Sequence, residues 1–176
     1  MPQLFIDLDG VLADTHKFYY KLFGKTLDLE TPFNKEIAQN IRSARYFYLD
    51  QPLIPDARDL WIGCNFLHEC PIILTGVRSD IPNMVEHKRE WVRNHFGARV
   101  PVICCKSHEK SLFCNPGDIL VDDRLKYRDL WIKAGGVFVH HTSAQDSLAV
   151  LAALLPRPVT PAGSRFDGTF SPVVRF

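Results

Sequence analysis

Along this chain, short apolar runs alternate with longer stretches in which apolar positions recur every three or four residues. Five runs read as strands: residues 3–8, 71–74, 100–105, 119–121 and 137–140. They are short, rich in β-branched residues and apolar at successive positions. Parallel strands covered on both faces show this pattern, whereas half-exposed antiparallel strands alternate. The spacers predict helices. Residues 56–67 place Leu60, Trp61, Cys64 and Leu67 at helical spacing, and residues 81–96 do the same with Met84, Val85, Trp91, Val92 and Phe96. Residues 127–134 carry Leu130, Trp131 and Ala134, and residues 143–155 follow a Thr142 or Ser143 cap. Such alternation predicts an α/β fold, a doubly wound, mainly parallel five-stranded Rossmann-like sheet.

Two stretches break the repeat. Residues 14–50 are too long for a plain connection and are rich in aromatics, among them Phe18, Tyr19, Phe33 and Phe47. They predict a small helical cap insert after the first strand, whose rings form a core of their own or, alternatively, stack on a planar ligand. Residues 1–13 with 51–155 then make the main domain, and 156–176, rich in proline, an irregular tail. The 176 residues are 46% hydrophobic and 23% charged, which suits an ordinary globular core and excludes a disordered or coiled-coil chain. A net charge of +1 gives no global pull toward nucleic acid or membrane. No apolar run approaches the roughly 18 residues of a membrane-spanning helix. Five cysteines without a C-x-x-C pair are expected to be reduced thiols, and the chain to be cytoplasmic.

The carboxylates carry the chemistry. The first strand runs into Asp7-Leu8-Asp9-Gly10 and the fourth into Asp122-Asp123-Arg124. Carboxyl ends of parallel strands share one edge, where ligands bind. If these two strands are neighbours, four acids crowd together. Two such charges ~4 Å apart repel by about 4 kcal/mol at an effective dielectric near 20. Protonation or a cation must relieve this, and hard oxygen ligands at an open edge suit Mg²⁺. Thr75-Gly76 ends the second strand, where a hydroxyl and backbone amides can hold a phosphoryl oxygen. Lys110 follows the third, where an ammonium can neutralise a transferring phosphoryl group. The doublet His140-His141 has no further ligand at metal spacing and reads as a strand end.

Together, Asp7-Leu8-Asp9-Gly10-Val11-Leu12-Ala13-Asp14, Leu74-Thr75-Gly76, Lys110 and Val121-Asp122-Asp123-Arg124 resemble the four ordered motifs of the haloacid dehalogenase-like (HAD) hydrolases. Within that superfamily the chain is most similar to 5'(3')-deoxyribonucleotidases. The likeness rests on Asp9 to Asp14, Tyr46-Phe47-Tyr48-Leu49 before Pro52-Leu53-Ile54-Pro55, Trp91-Val92 with Phe96-Gly97, and Lys110 to Arg124. It departs from them at Thr15, where those enzymes carry a base-stacking aromatic, and in a shorter cap.

The resemblance implies a Mg²⁺-dependent phosphomonoesterase. Asp7 is the implied nucleophile and Asp9 the acid and base. Asp7, the Asp9 carbonyl and Asp123 are the implied metal ligands, with Asp122 behind them; the sequence leaves open which of Asp122 and Asp123 binds directly. Thr75, Gly76 and Lys110 are the implied phosphate holders. The expected partner is a small phosphorylated substrate such as a nucleotide. An alternative keeps the chemistry but takes polynucleotide 3'-phosphates, with Arg78, Lys88, Arg89, Arg93 and Arg99 as a strand-binding surface. A phospho-receiver is disfavoured by the order of the motifs. A non-catalytic binding module is disfavoured by the complete set of mutually repelling acids.

Overall fold

The computed structural model describes residues 2–27 and 33–155. The expected tail, 156–176, lies outside them, as does part of the insert. Five strands, β1 (Leu4–Ile6), β2 (Ile72–Gly76), β3 (Val102–Cys105), β4 (Ile119–Asp122) and β5 (Val137–His140), form one sheet in the order β3-β2-β1-β4-β5. Every pairing is parallel. β1 is central and β4 is its direct neighbour, with Ile6 opposite Val121. The Asp7 amide donates to the Val121 carbonyl at 2.9 Å and carries the pairing one residue past the strand.

Successive side chains leave opposite faces of a strand, and both faces are packed. Leu4, Ile6, Ile73, Ile119, Val121 and Val139 join one buried cluster. It is completed by Ala57, Leu60 and Cys64 of α3 (Ala57–Leu67), Trp91 and Val92 of α4 (Met84–Phe96), and Leu151 of α6 (Ala144–Leu154). Phe5, Leu74 and Leu120 join the other cluster, around Trp131 of α5 (Arg128–Lys133). Phe5 meets the Trp131 ring edge-on, with centroids 5.5 Å apart. This two-sided burial explains the continuous apolar runs and bears out the doubly wound α/β arrangement expected from them. Ser143 caps α6 by accepting from the Asp146 amide.

Between β1 and α3 the chain makes α1 (Thr15–Phe23) and α2 (Lys35–Ser43). Asp14 caps α1 through the Lys17 amide, and Asn34 caps α2 through that of Ile37. Phe18, Tyr19, Ala38, Ile41, Phe47 and Tyr48 form a separate buried cluster with Ile81 and Met84. Most of the aromatics therefore stabilise this segment itself. Tyr20 and Tyr46 remain exposed. Among the described residues, no helix is long and apolar enough to cross a membrane.

Candidate active site

The strand ends bring the sequence-predicted residues to one edge. Asp7 follows β1, Thr75 and Gly76 close β2, Asp122 closes β4 and Asp123 follows it. Lys110 lies on a 3-10 helix, Ser107–Phe113, directly after β3. Asp7, Asp122 and Asp123 each offer a carboxylate oxygen within 4.8 Å of the others. Asp7 is more than a hundred positions from the other two and meets them only because β1 and β4 are paired.

Lys110 holds two of the three. Its Nζ lies 2.8 Å from Asp7 Oδ1 and 2.6 Å from Asp122 Oδ2. Burial alone would lower the Lys110 pKa, but the two carboxylates outweigh it and raise it. Asp122 also accepts from the Arg124 amide through Oδ1 at 2.8 Å, so both of its oxygens are engaged. Asp123 is placed differently. Its Oδ1 is buried and has no hydrogen-bond partner among the described residues. Its Oδ2 has the His16 ring 3.9 Å away. Burial, then the charges of Asp7 and Asp122, push its pKa up to about 8. Burial likewise raises Asp7 to about 6, against the pull of Lys110 and with the push of Asp122 and Asp9. A site that so disfavours its own ionised carboxyls is one a hard cation would relieve. The unpartnered Asp123 oxygen is the group most in need of such a ligand.

Local turns set this geometry. The Leu8 carbonyl accepts from the amides of Val11, Leu12 and Ala13, folding the chain back immediately past the strand. Gly10 sits there at φ +79, and a Cβ on it would lie 2.1 Å from Asp123 Oδ2. Glycine is required twice over, by backbone conformation and by the close approach of that carboxylate. Gly76 is tight for a similar reason: a Cβ there would lie 2.3 Å from Ser107 Oγ.

Asp9 is not held with the other acids. Its Oδ2 is 2.5 Å from Lys88 Nζ, and its Oδ1 accepts from Thr15 Oγ1 at 3.0 Å. The same ammonium donates to Thr75 Oγ1 at 2.9 Å and to the Gly76 carbonyl at 2.6 Å. It also lies 5.0 Å from the centre of the Tyr48 ring. Lys88 is completely buried. The expectation that it joins a basic helix surface is therefore overturned, while Arg89, Arg93 and Arg99 are exposed. A buried lysine needs nearby acceptors, and here the ends of β1 and β2 supply them. The only available signal was its spacing: Met84, Lys88, Trp91 and Val92 share one helical face, and the other three are core residues.

Thr15 is also a polar member of the site, since its hydroxyl approaches Asp9 and Gln51 Oε1 together. Of the histidine doublet, the His140 ring contacts the Asp123 carbonyl at 3.1 Å and the His141 ring contacts Ser147 Oγ at 2.9 Å. Neither belongs to the acid triad.

A cleft of about 820 Å³, including its open mouth, lies over Asp7, Asp9 and Asp123. Its far wall is made by Phe33, Ile37 and Ile41 from the segment between β1 and α3, with Tyr48. No family model matches the chain, and no curated protein does. Among solved structures it is similar to a HAD-superfamily hydrolase from Ehrlichia chaffeensis, with 16% identity and a TM-score of 0.49, over 88% of this chain and 98% of that one.

Proposed function

We propose that this chain is a Mg²⁺-dependent phosphomonoesterase of the HAD type, acting on (deoxy)nucleotides or similar small phosphate esters. The observation that carries the reading is the buried triad of Asp7, Asp122 and Asp123 beside Lys110, with one Asp123 oxygen unpartnered. Asp7 and Asp123 would hold the cation with their side chains and Asp9 with its backbone carbonyl. Asp122, engaged by Lys110 and the Arg124 amide, would stand behind them. When bound, the cation supplies the positive charge that lets an anionic nucleophile meet an anionic phosphoryl group.

The rest is the work of the chain's own groups. An Asp7 oxygen attacks phosphorus while the bond to the leaving oxygen breaks, giving an aspartyl-phosphate. Asp9, protonated from water of the open cleft, gives that proton to the leaving oxygen. Asp9 then takes a proton from water, whose oxygen attacks phosphorus and releases phosphate from Asp7. Lys110 keeps Asp7 oriented and faces the transferring group. Gly76 lines the cleft that takes the other phosphoryl oxygens, while Thr75, fully buried, accepts from Lys88 behind it. Thr15 and Lys88 set the direction of the Asp9 carboxyl. The segment carrying α1 and α2 acts as a cap that shields the reaction from water and contacts the leaving group.

The test is turnover of nucleotide, sugar-phosphate and 3'-phosphorylated oligonucleotide panels with Mg²⁺, using Asp7→Asn as the blank. Turnover is expected for the parent, is lost with chelator and is restored by Mg²⁺. Equal turnover by Asp7→Asn would remove the nucleophile from the account.

A further inference from the structure

Beside the catalytic cleft runs a second one, of about 1020 Å³ including its open side. The two share Phe33, Val77, Arg78, Ser107 and Arg124, so they are continuous. Lys106, His108 and Lys126 extend the lining of the second. Asp80 is the one carboxylate lining it among the described residues, and it is already engaged by Arg78 at 2.9 Å and Arg42 at 3.0 Å. Lys106 is paired with Glu109 at 3.6 Å, an acid that is not itself among the lining residues. Lys126 sits against the Tyr127 ring, 5.4 Å from its centre. The chain as a whole is nearly neutral at +1. This excess of positive charge is therefore local, and it lines a concavity, where fields are focused.

We infer that the second cleft binds a further phosphate carried by the leaving group, so that the substrate class is a bisphosphorylated ester rather than a simple monophosphate. The inference rests on the phosphatase reading above and names the substrate class of that same site. Lys106 and Lys126 are its principal cations. Both are exposed side chains that a bound phosphate would draw inward. Arg124 and Ser107 stand at the junction, where the reacting phosphate and the second one would be bridged by the leaving group. A nucleoside bisphosphate and the phosphorylated end of an oligonucleotide present the same chemistry.

The experiment compares adenosine 5'-monophosphate, adenosine 3',5'-bisphosphate and a 5'-phosphorylated oligonucleotide. The proteins are the parent, the double variant Lys106→Ala with Lys126→Ala, and the charge-keeping pair Lys106→Arg with Lys126→Arg. The parent should favour the bisphosphate in kcat/KM by about tenfold, as two exposed charge pairs allow. The alanine pair should erase that preference through KM and leave monophosphate turnover unchanged; the arginine pair should keep it. The preference should also shrink as salt rises from about 50 to about 200 mM. Equal kcat/KM for the mono- and bisphosphate, or an equal loss on both in the alanine pair, overturns the inference. Calorimetric binding of the same compounds to Asp7→Asn, with and without the two alanines, separates this from the parent reading. If no ester is turned over but the bisphosphate binds and the alanines abolish binding, the phosphatase reading fails and the second cleft stands. If esters are turned over and the bisphosphate binds no better than the monophosphate, the cleft fails alone. Tighter binding of the nucleoside bisphosphate assigns a small molecule, and tighter binding of the oligonucleotide assigns a strand end.

Discussion

Replacing Lys88 by methionine tests the least expected part of the site. Methionine keeps most of the volume, so the change is chiefly electrostatic and leaves little cavity. It removes three contacts of one buried ammonium: Asp9 Oδ2 at 2.5 Å, Thr75 Oγ1 at 2.9 Å and the Gly76 carbonyl at 2.6 Å. Breaking a fully buried ion pair from one side costs about 3–5 kcal/mol, because the partner stays behind without its counter-charge. The Asp9 side chain is 27% exposed, so water can take over part of its solvation. The lower end, about 3 kcal/mol, is the better expectation. For a domain of this size that lowers Tm by roughly 6–12 °C. Urea unfolding of the parent, Lys88→Met, Asp9→Asn and the double variant gives the coupling between the two side chains. A coupling of at least about 1 kcal/mol is expected for groups in direct contact. Lys88→Met unfolding within about 0.5 kcal/mol of the parent, the range of an ordinary surface change, would refute the argument that this ammonium organises the ends of β1 and β2.

Gly10→Ala should weaken Mg²⁺ binding as well as stability. The new Cβ would fall 2.1 Å from Asp123 Oδ2 on a backbone at φ +79, a conformation costing about 1–2 kcal/mol for a residue with a side chain. Mg²⁺ titration calorimetry reads the effect, and unchanged affinity would contradict the close approach. The acid cluster also predicts a pH dependence. Asp7 and Asp123 have folded pKa values near 6 and 8, above the 3.8 of a free aspartate. The folded state therefore binds more protons, and metal-free stability contributed by these groups falls as pH rises from about 4 to about 8. A cation requires the ionised carboxylates, so the Tm gain from Mg²⁺ should grow between pH 6 and pH 8. Thermal melts with and without Mg²⁺ check this, and Asp123→Asn should flatten the metal-free slope. A Mg²⁺ gain independent of pH would count against these carboxyls as ligands.

How much of this was legible beforehand varies from residue to residue. The five strands and the four core helices follow from periodicity, and predicted limits differ from the observed ones by a few residues at element ends. Residues 81–83 precede α4, which starts at Met84. The acids at the ends of β1 and β4, and Thr75, Gly76 and Lys110, were nameable because each follows an apolar run in an order seen in a known superfamily. Lys88 was not. On a helix with many charges, Lys88 looks like Arg89 or Arg93, and only the packing of α4 against the sheet turns it inward. The basic cleft was equally hidden. Arg78, Lys106 and Lys126 come from three separate connections after β2, β3 and β4, and nothing local relates them.

By itself, then, the order of residues determined which segments become strands and helices, and that the acids fall at strand ends. Those outcomes depend on neighbours a few positions away, through the alternation of apolar side chains and the turns that follow them. Only the tertiary structure decided that β1 lies against β4, that Asp123 keeps an unpartnered oxygen, and that Lys88 holds Asp9. Those outcomes depend on distances between groups far apart in the chain, and burial at that meeting point gives their charges their strength.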